Sequence, residues 1–452
     1  MAKGTSINSA DRGASLLRRL FRNIISSISS STAQKGFVTL ADQGIASTTN
    51  FLTGVIIGRA CTKEELGLYM LGFSLVLLAI DMQAHLISTP YMIGVPRFKG
   101  TRQALFTGSS FIHQLALSAI TSASLAIGAF VLLLGVGPQG LARVMCALVV
   151  AISFIMLREF ARRVCFAWLR MEAALLVDSF VAVGQIGGIL ILAHLDALSA
   201  SNAYWVIGAV CGLVAFSWLI WIRKRLEWRI GQALADFKNN WSLAKWIFAS
   251  GSLWTLSVNL YPWILTAFHG TASSGVWAAC IGIVAIVNPV LLGLSNILGP
   301  MISYSFVEGG HVKLRQFTLR ASVVFSALLF PFCLILLVYG ESLMTFIYGY
   351  KYAGNGLVVS VLALSLVISV PRFTCSRALF AMGRADLDFK ASFVALLVLV
   401  TLGIWLVRTW GLVGAACGLL ITNILVLVPQ AVVCMTLNDT LAQRREACKM
   451  QR

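Results

Sequence analysis

The sequence predicts an all-α polytopic membrane protein with about 12 transmembrane helices, arranged as two pseudo-twofold-related six-helix lobes around a central cavity. Three observations predict it: low charge content, recurring apolar runs, and an internal repeat. Charged residues make up 12% of the chain and hydrophobic residues 58%, whereas soluble domains carry roughly 25% charged residues. No polar segment between the apolar runs is long enough to form a soluble domain.

Apolar runs long enough to cross a bilayer, which needs about 20 residues, recur along the whole chain. We number them as spans 1 to 12 and use this numbering throughout. Their predicted limits are roughly 37–58, 66–92, 104–135, 141–163, 172–194, 202–222, 243–268, 274–304, 317–340, 355–376, 387–408 and 411–437.

The distribution of lysine and arginine predicts the orientation. With the N-terminus inside, 30 of the 35 basic residues fall in cytoplasmic segments. Cytoplasmic loops are enriched in basic residues, so both termini are predicted to be cytoplasmic, in a multi-pass protein of a bacterial inner membrane. The net charge of +18 is therefore interpreted as a topology signal, and no nucleic-acid partner is predicted.

The two halves of the chain share a repeat. Arg158, Arg163, Phe166, Ala167 and Arg170 recur 214 positions later as Arg372, Arg377, Phe380, Ala381 and Arg384. The sequence at 208–213 also recurs, with one substitution, at 414–419. Six spans in each half give both halves the same orientation, so the pseudo-twofold axis should run along the membrane normal.

These limits divide the chain into five parts. Residues 1–36 form a cytoplasmic tail with an amphipathic helix, whose apolar face runs from Leu17 to Ile28. Residues 37–222 form the N-lobe, 223–242 a cytoplasmic linker, 243–437 the C-lobe and 438–452 a second cytoplasmic tail. A solvated, disordered tail is the alternative interpretation of residues 1–36.

Motifs for enzymatic chemistry are missing from the sequence. It contains no HExxH, no P-loop and no dinucleotide-binding fingerprint, and the cysteines show no metal-ligand spacing. No catalytic residue, metal site or cofactor is predicted. A membrane glycosyl polymerase is disfavoured because the longest outside connection, 339–354, is too short to hold an acceptor and catalytic groups.

Transport is the class that remains, and ionisable residues inside spans are its first candidates because burying them in a bilayer is costly. The candidates for proton or Na+ coupling are Asp42, Asp81, His85, His113 and Asp178. Asp81 and His85 are four residues apart and share a helix face, so they could share a proton. The alternative for Asp42 and Asp178 is that they lie near cytoplasmic helix ends and reach water.

The spans of the second half have no acid in their central portions. They carry amides instead, and these are the predicted polar residues of the cavity: Asn259, Asn288, Asn296 and Asn423. This asymmetry assigns any cation coupling to the N-lobe.

Several stretches resemble one family. The opening from Asp42-Gln43-Gly44 to Arg59, followed by Glu-Glu-Leu-Gly-Leu-Tyr at 64–69, resembles the start of polysaccharide transporters. Thr-Pro-Tyr at 89–91, Tyr-Gly-Tyr-Lys-Tyr-Ala at 348–353 and the cytoplasmic turn at 377–384 resemble later segments in the same order. The resemblance covers about 37–437 and is to the polysaccharide transporter branch of the multidrug/oligosaccharidyl-lipid/polysaccharide (MOP) flippase superfamily.

The resemblance implies a flippase that moves an undecaprenyl-pyrophosphate-linked oligosaccharide to the outer leaflet, for lipopolysaccharide or exopolysaccharide biosynthesis. Neither pyrophosphate nor sugar hydroxyls cross hydrocarbon unaided. The implied partners are membrane lipids and the lipid-linked oligosaccharide, with a polysaccharide polymerase and a chain-length regulator as further candidates.

Arginines that could hold the pyrophosphate in two parallel hydrogen bonds are the head-group candidates. They are the repeat pairs Arg158 with Arg372 and Arg163 with Arg377, together with Arg59 near the outer face. Their alternative role is to anchor the helices by the positive-inside rule or, for Arg59, at a helix end.

Two other functions stay open. A cation-coupled multidrug antiporter of the same superfamily is favoured by Asp42, but a cationic drug would want an acidic cavity and this cytoplasmic mouth is basic. A subunit without transport activity of its own is the third hypothesis. The major facilitator family is disfavoured because its charged motif between spans 2 and 3 is absent from 94–100.

Overall fold

The computed structural model describes residues 31–223 and 226–436, without the side chains of 31–35 and of parts of 239–250 and 292–300. The predicted amphipathic stretch from Leu17 to Ile28 and the tail 438–452 lie outside the described residues. The helices of the described part are joined by short turns and irregular segments, and the described part holds no strand, which confirms the predicted all-α class.

The N-lobe consists of six helices joined by short turns. Span 1 is Ser31–Ala60, and span 2 is Lys63–Gln83, continued by a π-helical turn at Ala84–Ser88 and a short helix at Thr89–Gly94. Spans 3 to 6 are Gly100–Leu133, Leu141–Ala167, Met171–His194 and Ala200–Ile222. Span 4 packs on spans 3, 5 and 6 and is the most buried of the lobe.

In the C-lobe, several consecutive helices follow one another directly and are separated only by glycines with non-helical backbone angles. Span 7 begins as Ile230–Asn259 and continues into Tyr261–Val284, in which two helices meet at Gly270, where φ is +79°. Within Asn288–Tyr348, Gly309 and Gly310 separate the end of span 8 from span 9. Span 10 is Gly356–Ala381, and span 11 begins as Ala385–Val398. Inside Ile404–Thr436, Gly411, with φ +55°, separates spans 11 and 12.

Twelve helical segments result when these breaks are counted. Nine continuous helices in the described part are long and apolar enough to cross a membrane. Two of them, 251–291 and 385–436, each hold a glycine break between two spans, and the more polar helix Ser31–Ala60 supplies span 1. The chain is thus a multi-pass membrane protein. We call the end with Arg59 and Lys351 the outer end, after the orientation predicted from the sequence.

The closest approach between the lobes involves two glycines at the outer end. A Cβ on Gly67 of span 2 would lie 1.9 Å from the Thr271 carbonyl oxygen, and a Cβ on Gly275 of span 8 would lie 2.0 Å from the Lys63 carbonyl oxygen. Small residues allow such backbone contact between membrane helices. Spans 2 and 8 are therefore in close backbone contact where the two lobes meet.

Replacing Gly67 by valine should push these two helices apart. Overpacking a tight contact costs about 1–3 kcal/mol, so we expect a lower thermal unfolding midpoint in detergent. Gly187→Val is the control, because a Cβ at Gly187 meets no atom within 4 Å. Equal midpoints for the two variants would contradict the close packing of spans 2 and 8.

Candidate functional site

A cavity of about 450 Å³ lies between the lobes, within the usual 300–1,000 Å³ of ligand sites. Its polar lining comes from Gln43, Ser47, Asn50, Asn259 and Asn288, and its aromatic lining from Phe51, Tyr69, Phe73, Trp277 and Tyr348. The described lining includes no acid and no base. The cavity therefore offers amide hydrogen bonds and aromatic faces, but no fixed charge.

The four predicted cavity amides differ in position. Asn259 and Asn288 line the cavity, and Asn259 also donates to the Thr255 carbonyl oxygen at 2.8 Å. Asn423 is instead buried inside the C-lobe, where its amide donates to Ser365 Oγ at 2.9 Å. The side chain of Asn296 lies outside the described residues. Gln43 and Asn50 of span 1 were not singled out from the sequence.

At the outer end, two cations close the lobes over the cavity. Arg59, at the end of span 1, donates from Nε to the Ile347 carbonyl oxygen at 2.6 Å and from Nη2 to that of Phe346. In return Lys351 Nζ donates to the carbonyl oxygens of Arg59 at 3.1 Å and Cys61 at 2.5 Å. Each cation thus caps the free carbonyls at a helix end of the other lobe. We call these residues the outer gate.

Burial lowers the pKa of Lys351 from its ordinary value, although the neighbouring thiol of Cys61 opposes the effect. Arg59, predicted as a head-group residue, is engaged by carbonyls of the gate in this state. A ligand that binds Nε and Nη2 of Arg59 would have to displace these two carbonyl oxygens.

Near the other end, Asp81 and His85 join span 2 to span 7. His85 Nε2 lies 3.3 Å from Asp81 Oδ1, in the arrangement predicted from their spacing. Asp81 also accepts hydrogen bonds from Ser252 Oγ at 3.1 Å and Thr255 Oγ1 at 2.9 Å. His85 is the second residue of the π-helical turn Ala84–Ser88. Such turns are frequent at functional sites. The pair is thus a polar contact between the lobes, one helical turn from the cavity residue Leu77.

The predicted coupling residues Asp42 and Asp178 belong to a buried charge cluster inside the N-lobe. Arg162 of span 4 bonds Asp42 of span 1 at 2.5 Å and lies 2.7 Å from Asp178 of span 5. Glu159 contacts Arg158, Arg162 and Arg163 at 3.3, 3.4 and 2.7 Å. Neither acid faces open water, because Asp42 is fully buried and Asp178 is 3% exposed.

Sequence reasoning missed the roles of Glu159 and Arg162. Both lie in a run of arginines that was assigned to the positive-inside pattern. The repeat carried the signal, since their counterparts 214 positions later are Phe373 and Ser376. A charge present in one repeat and replaced by an uncharged residue in the other points to a feature specific to the N-lobe.

The C-lobe counterparts are differently placed. Arg372 stacks on Trp254 of span 7, with its guanidinium carbon 3.7 Å from the ring centroid, and its buried Nε has no hydrogen-bond partner. Asp388, the acid of this interior, accepts instead from Ser376 at 2.6 Å and Gln430 at 3.0 Å. Among the described residues, no carboxylate is within ion-pair distance of Arg372.

The arginines predicted to hold the pyrophosphate therefore have different surroundings in the two lobes. Arg158 and Arg163 form ion pairs with acids of their own lobe, whereas Arg372 forms none with a described residue. Arg377 is exposed, and its guanidinium carbon lies 4.7 Å from the centroid of the Phe373 ring. His113, another coupling candidate, lies apart from the others and donates from Nε2 to the carbonyl oxygen of Ala233, near the start of the helix Ile230–Asn259, at 2.8 Å. No group of residues suited to a metal ion occurs in the described part.

Solved structures share this architecture. An inward-facing multidrug resistance MATE family transporter of the MOP superfamily superposes with a TM-score of 0.73, over 92% of this chain and 99% of that one, at 15% identity. A MOP superfamily transporter from Pyrococcus furiosus Vc1, described as having a binding pocket of reverse polarity, gives 0.66 over 89% and 94%, at 13% identity. The chain has the fold of MOP superfamily transporters.

Comparison of sequences gives one weak relative. The capsular polysaccharide biosynthesis protein CapF of Staphylococcus aureus is 19% identical over 197 residues, which is 43% of this chain. The match spans about half the length of that relative, 49%. No family model matches the chain. The comparisons thus show the MOP fold, and the choice between its branches rests on the site.

Proposed function

We propose that this protein flips or exports a lipid-linked oligosaccharide across the bacterial inner membrane by alternating access. The observation that carries the proposal is the lining of the cavity between the lobes, in which amides and aromatic rings occur without any acid among the described residues. Sugars present hydroxyls that amides can bond and apolar faces that aromatic rings can cover. A cationic drug would gain little from such a lining.

The position of the cations fits the same substrate. Among the described residues, Arg372 has no carboxylate within ion-pair distance, although the charge of Asp388 acts on it from farther away, and Arg59 and Lys351 hold the outer gate. A lipid-linked pyrophosphate carries negative charge that arginine binds through two parallel hydrogen bonds. In this account Arg372 receives the pyrophosphate, the cavity holds the sugars, and the lipid tail stays in the bilayer.

Multidrug antiport is the second candidate, favoured by the structural likeness to a multidrug resistance transporter. Asp42 would be its natural cation-binding group, but Arg162 already occupies that carboxylate. Asp81, four residues from the lining residue Leu77, accepts two hydroxyl hydrogen bonds from the other lobe. The two functions make opposite predictions for the cavity amides.

Asn50→Leu and Asn288→Leu should each lower glycan export about 2- to 10-fold, because each removes a hydrogen bond worth about 0.5–1.5 kcal/mol. Drug resistance, measured in the same cells, should not fall. The control is Ser217→Leu, at an exposed hydroxyl of span 6 that bonds only its own helix. Full export by both asparagine variants together with lost drug resistance would reverse the assignment.

A further inference from the structure

A positively charged side chain lies between the two buried aspartates of the N-lobe. Asp42 and Asp178 come from spans 1 and 5, and the guanidinium of Arg162 enters between them from span 4. Arg162 Nη2 bonds Asp42 Oδ2 at 2.5 Å, and its Nε lies 2.7 Å from Asp178 Oδ2. A guanidinium therefore fills the position in which a free cation would bridge the two carboxylates.

Burial makes a cation necessary at this position. Asp42, Asp178 and Glu159 are exposed by 0%, 3% and 5%, and neighbouring carboxylates cannot all stay ionised without compensating charge. Arg158, Arg162 and Arg163 balance the three acids one for one. Among the described residues, the thiols of Cys165 and Cys211 also lie against the cluster, and they carry no charge when protonated.

The oxygens around Arg162 retain acceptor capacity. Asp42 Oδ1 is buried without a hydrogen-bond partner, and both oxygens of Asp178 meet arginines without hydrogen-bond geometry. Carboxylate oxygens are ligands for hard cations. If the guanidinium were removed, these oxygens would form an anionic pocket able to take a proton or Na+.

We propose that Arg162 is a tethered counter-ion that permanently occupies a cation site formed by Asp42 and Asp178. The N-lobe then keeps its charge balance without taking up a mobile cation. Two of the predicted coupling residues are thereby assigned to the integrity of the lobe, and Asp81, His85 and His113 remain as coupling candidates. Arg162 would occupy this site whichever substrate the protein carries.

The test measures the thermal unfolding midpoint of the purified full-length chain in NaCl and in choline chloride at equal ionic strength. The wild-type midpoint should be the same in both salts. Arg162→Gln leaves the cluster with one excess negative charge, so its midpoint should fall by several degrees in choline chloride. Na+, or a fall from about pH 8 to about pH 6, should restore at least half of that loss.

Two further variants keep the test decisive. Arg163→Gln removes a partly exposed cation whose ion pair in the described part of the chain is with Glu159, and it should show no Na+ response because Arg162 stays in place. The double variant of Asp42→Asn with Arg162→Gln restores charge balance and should fold without a Na+ response, even if Arg162→Gln alone does not fold. A wild-type midpoint that rises with Na+ and loses this response in Asp42→Asn would overturn the proposal. So would Arg162→Gln with no Na+ or pH response.

Discussion

Arg372→Lys is expected to reduce export of a lipid-linked anionic glycan by roughly 10- to 100-fold, since losing a charge-assisted hydrogen bond costs about 1.5–3 kcal/mol. Lysine keeps the positive charge and the topology signal but loses the planar fork that binds pyrophosphate through two bonds. It also loses stacking on Trp254, which lies 3.7 Å from the Arg372 guanidinium. The amount of protein in the membrane should not change.

The measurement is the accumulation of undecaprenyl-linked oligosaccharide in cells that carry each variant, with drug resistance followed in parallel. Arg158→Lys is the informative comparison, because Arg158 is the repeat partner of Arg372 but pairs with Glu159 and Asp178. We expect it to weaken the fold of the N-lobe more than substrate binding. Wild-type export by Arg372→Lys would exclude Arg372 from the substrate site.

Asp81→Asn should abolish the dependence of transport on the proton gradient while the protein still folds. Asparagine keeps an oxygen that can accept from Ser252 or Thr255, which bond Asp81 at 3.1 and 2.9 Å, but it has no titratable proton to share with His85. The contact between spans 2 and 7 would therefore survive without the carboxylate that could exchange a proton with His85.

Transport by reconstituted protein should be compared with and without an imposed pH gradient. Ser252→Ala serves as the control, because it removes one hydroxyl hydrogen bond and leaves Asp81 and His85 in place. We expect that variant to keep its gradient dependence with a modest change in rate. Gradient-dependent transport by Asp81→Asn at the wild-type level would eliminate the pair as the coupling site.

Much of the fold was predictable because a bilayer constrains a sequence strongly. A span needs about 20 apolar residues, so the apolar runs predicted the helices, and the repeat at Arg158 and Arg372 predicted two related lobes. The limits of spans 8 and 9 were less accurate. The helix Asn288–Tyr348 runs through the predicted loop and breaks only at Gly309 and Gly310, because polar residues continue a helix beyond the membrane without an apolar signature.

The site was only partly predictable, because side-chain partners depend on how helices rotate against one another. The spacing of Asp81 and His85 predicted their contact, since both lie on one helix. The pairing of Asp42 with Arg162 joins residues 120 positions apart, and no local pattern encodes it. Asn423 is an amide inside a span, as the cavity residues are, but its side chain donates to Ser365 Oγ inside its own lobe.

Movement of a lipid-linked glycan between leaflets can be observed with the purified chain in vesicles. Undecaprenyl-pyrophosphate-linked oligosaccharide is incorporated into both leaflets, and a membrane-impermeant reagent that modifies sugars reports the fraction exposed outside. With the wild-type chain, the protected fraction should become accessible over time, and Arg372→Lys should slow this change. Vesicles in which the protected glycan stays inaccessible while a cationic drug is carried across the membrane would contradict the account.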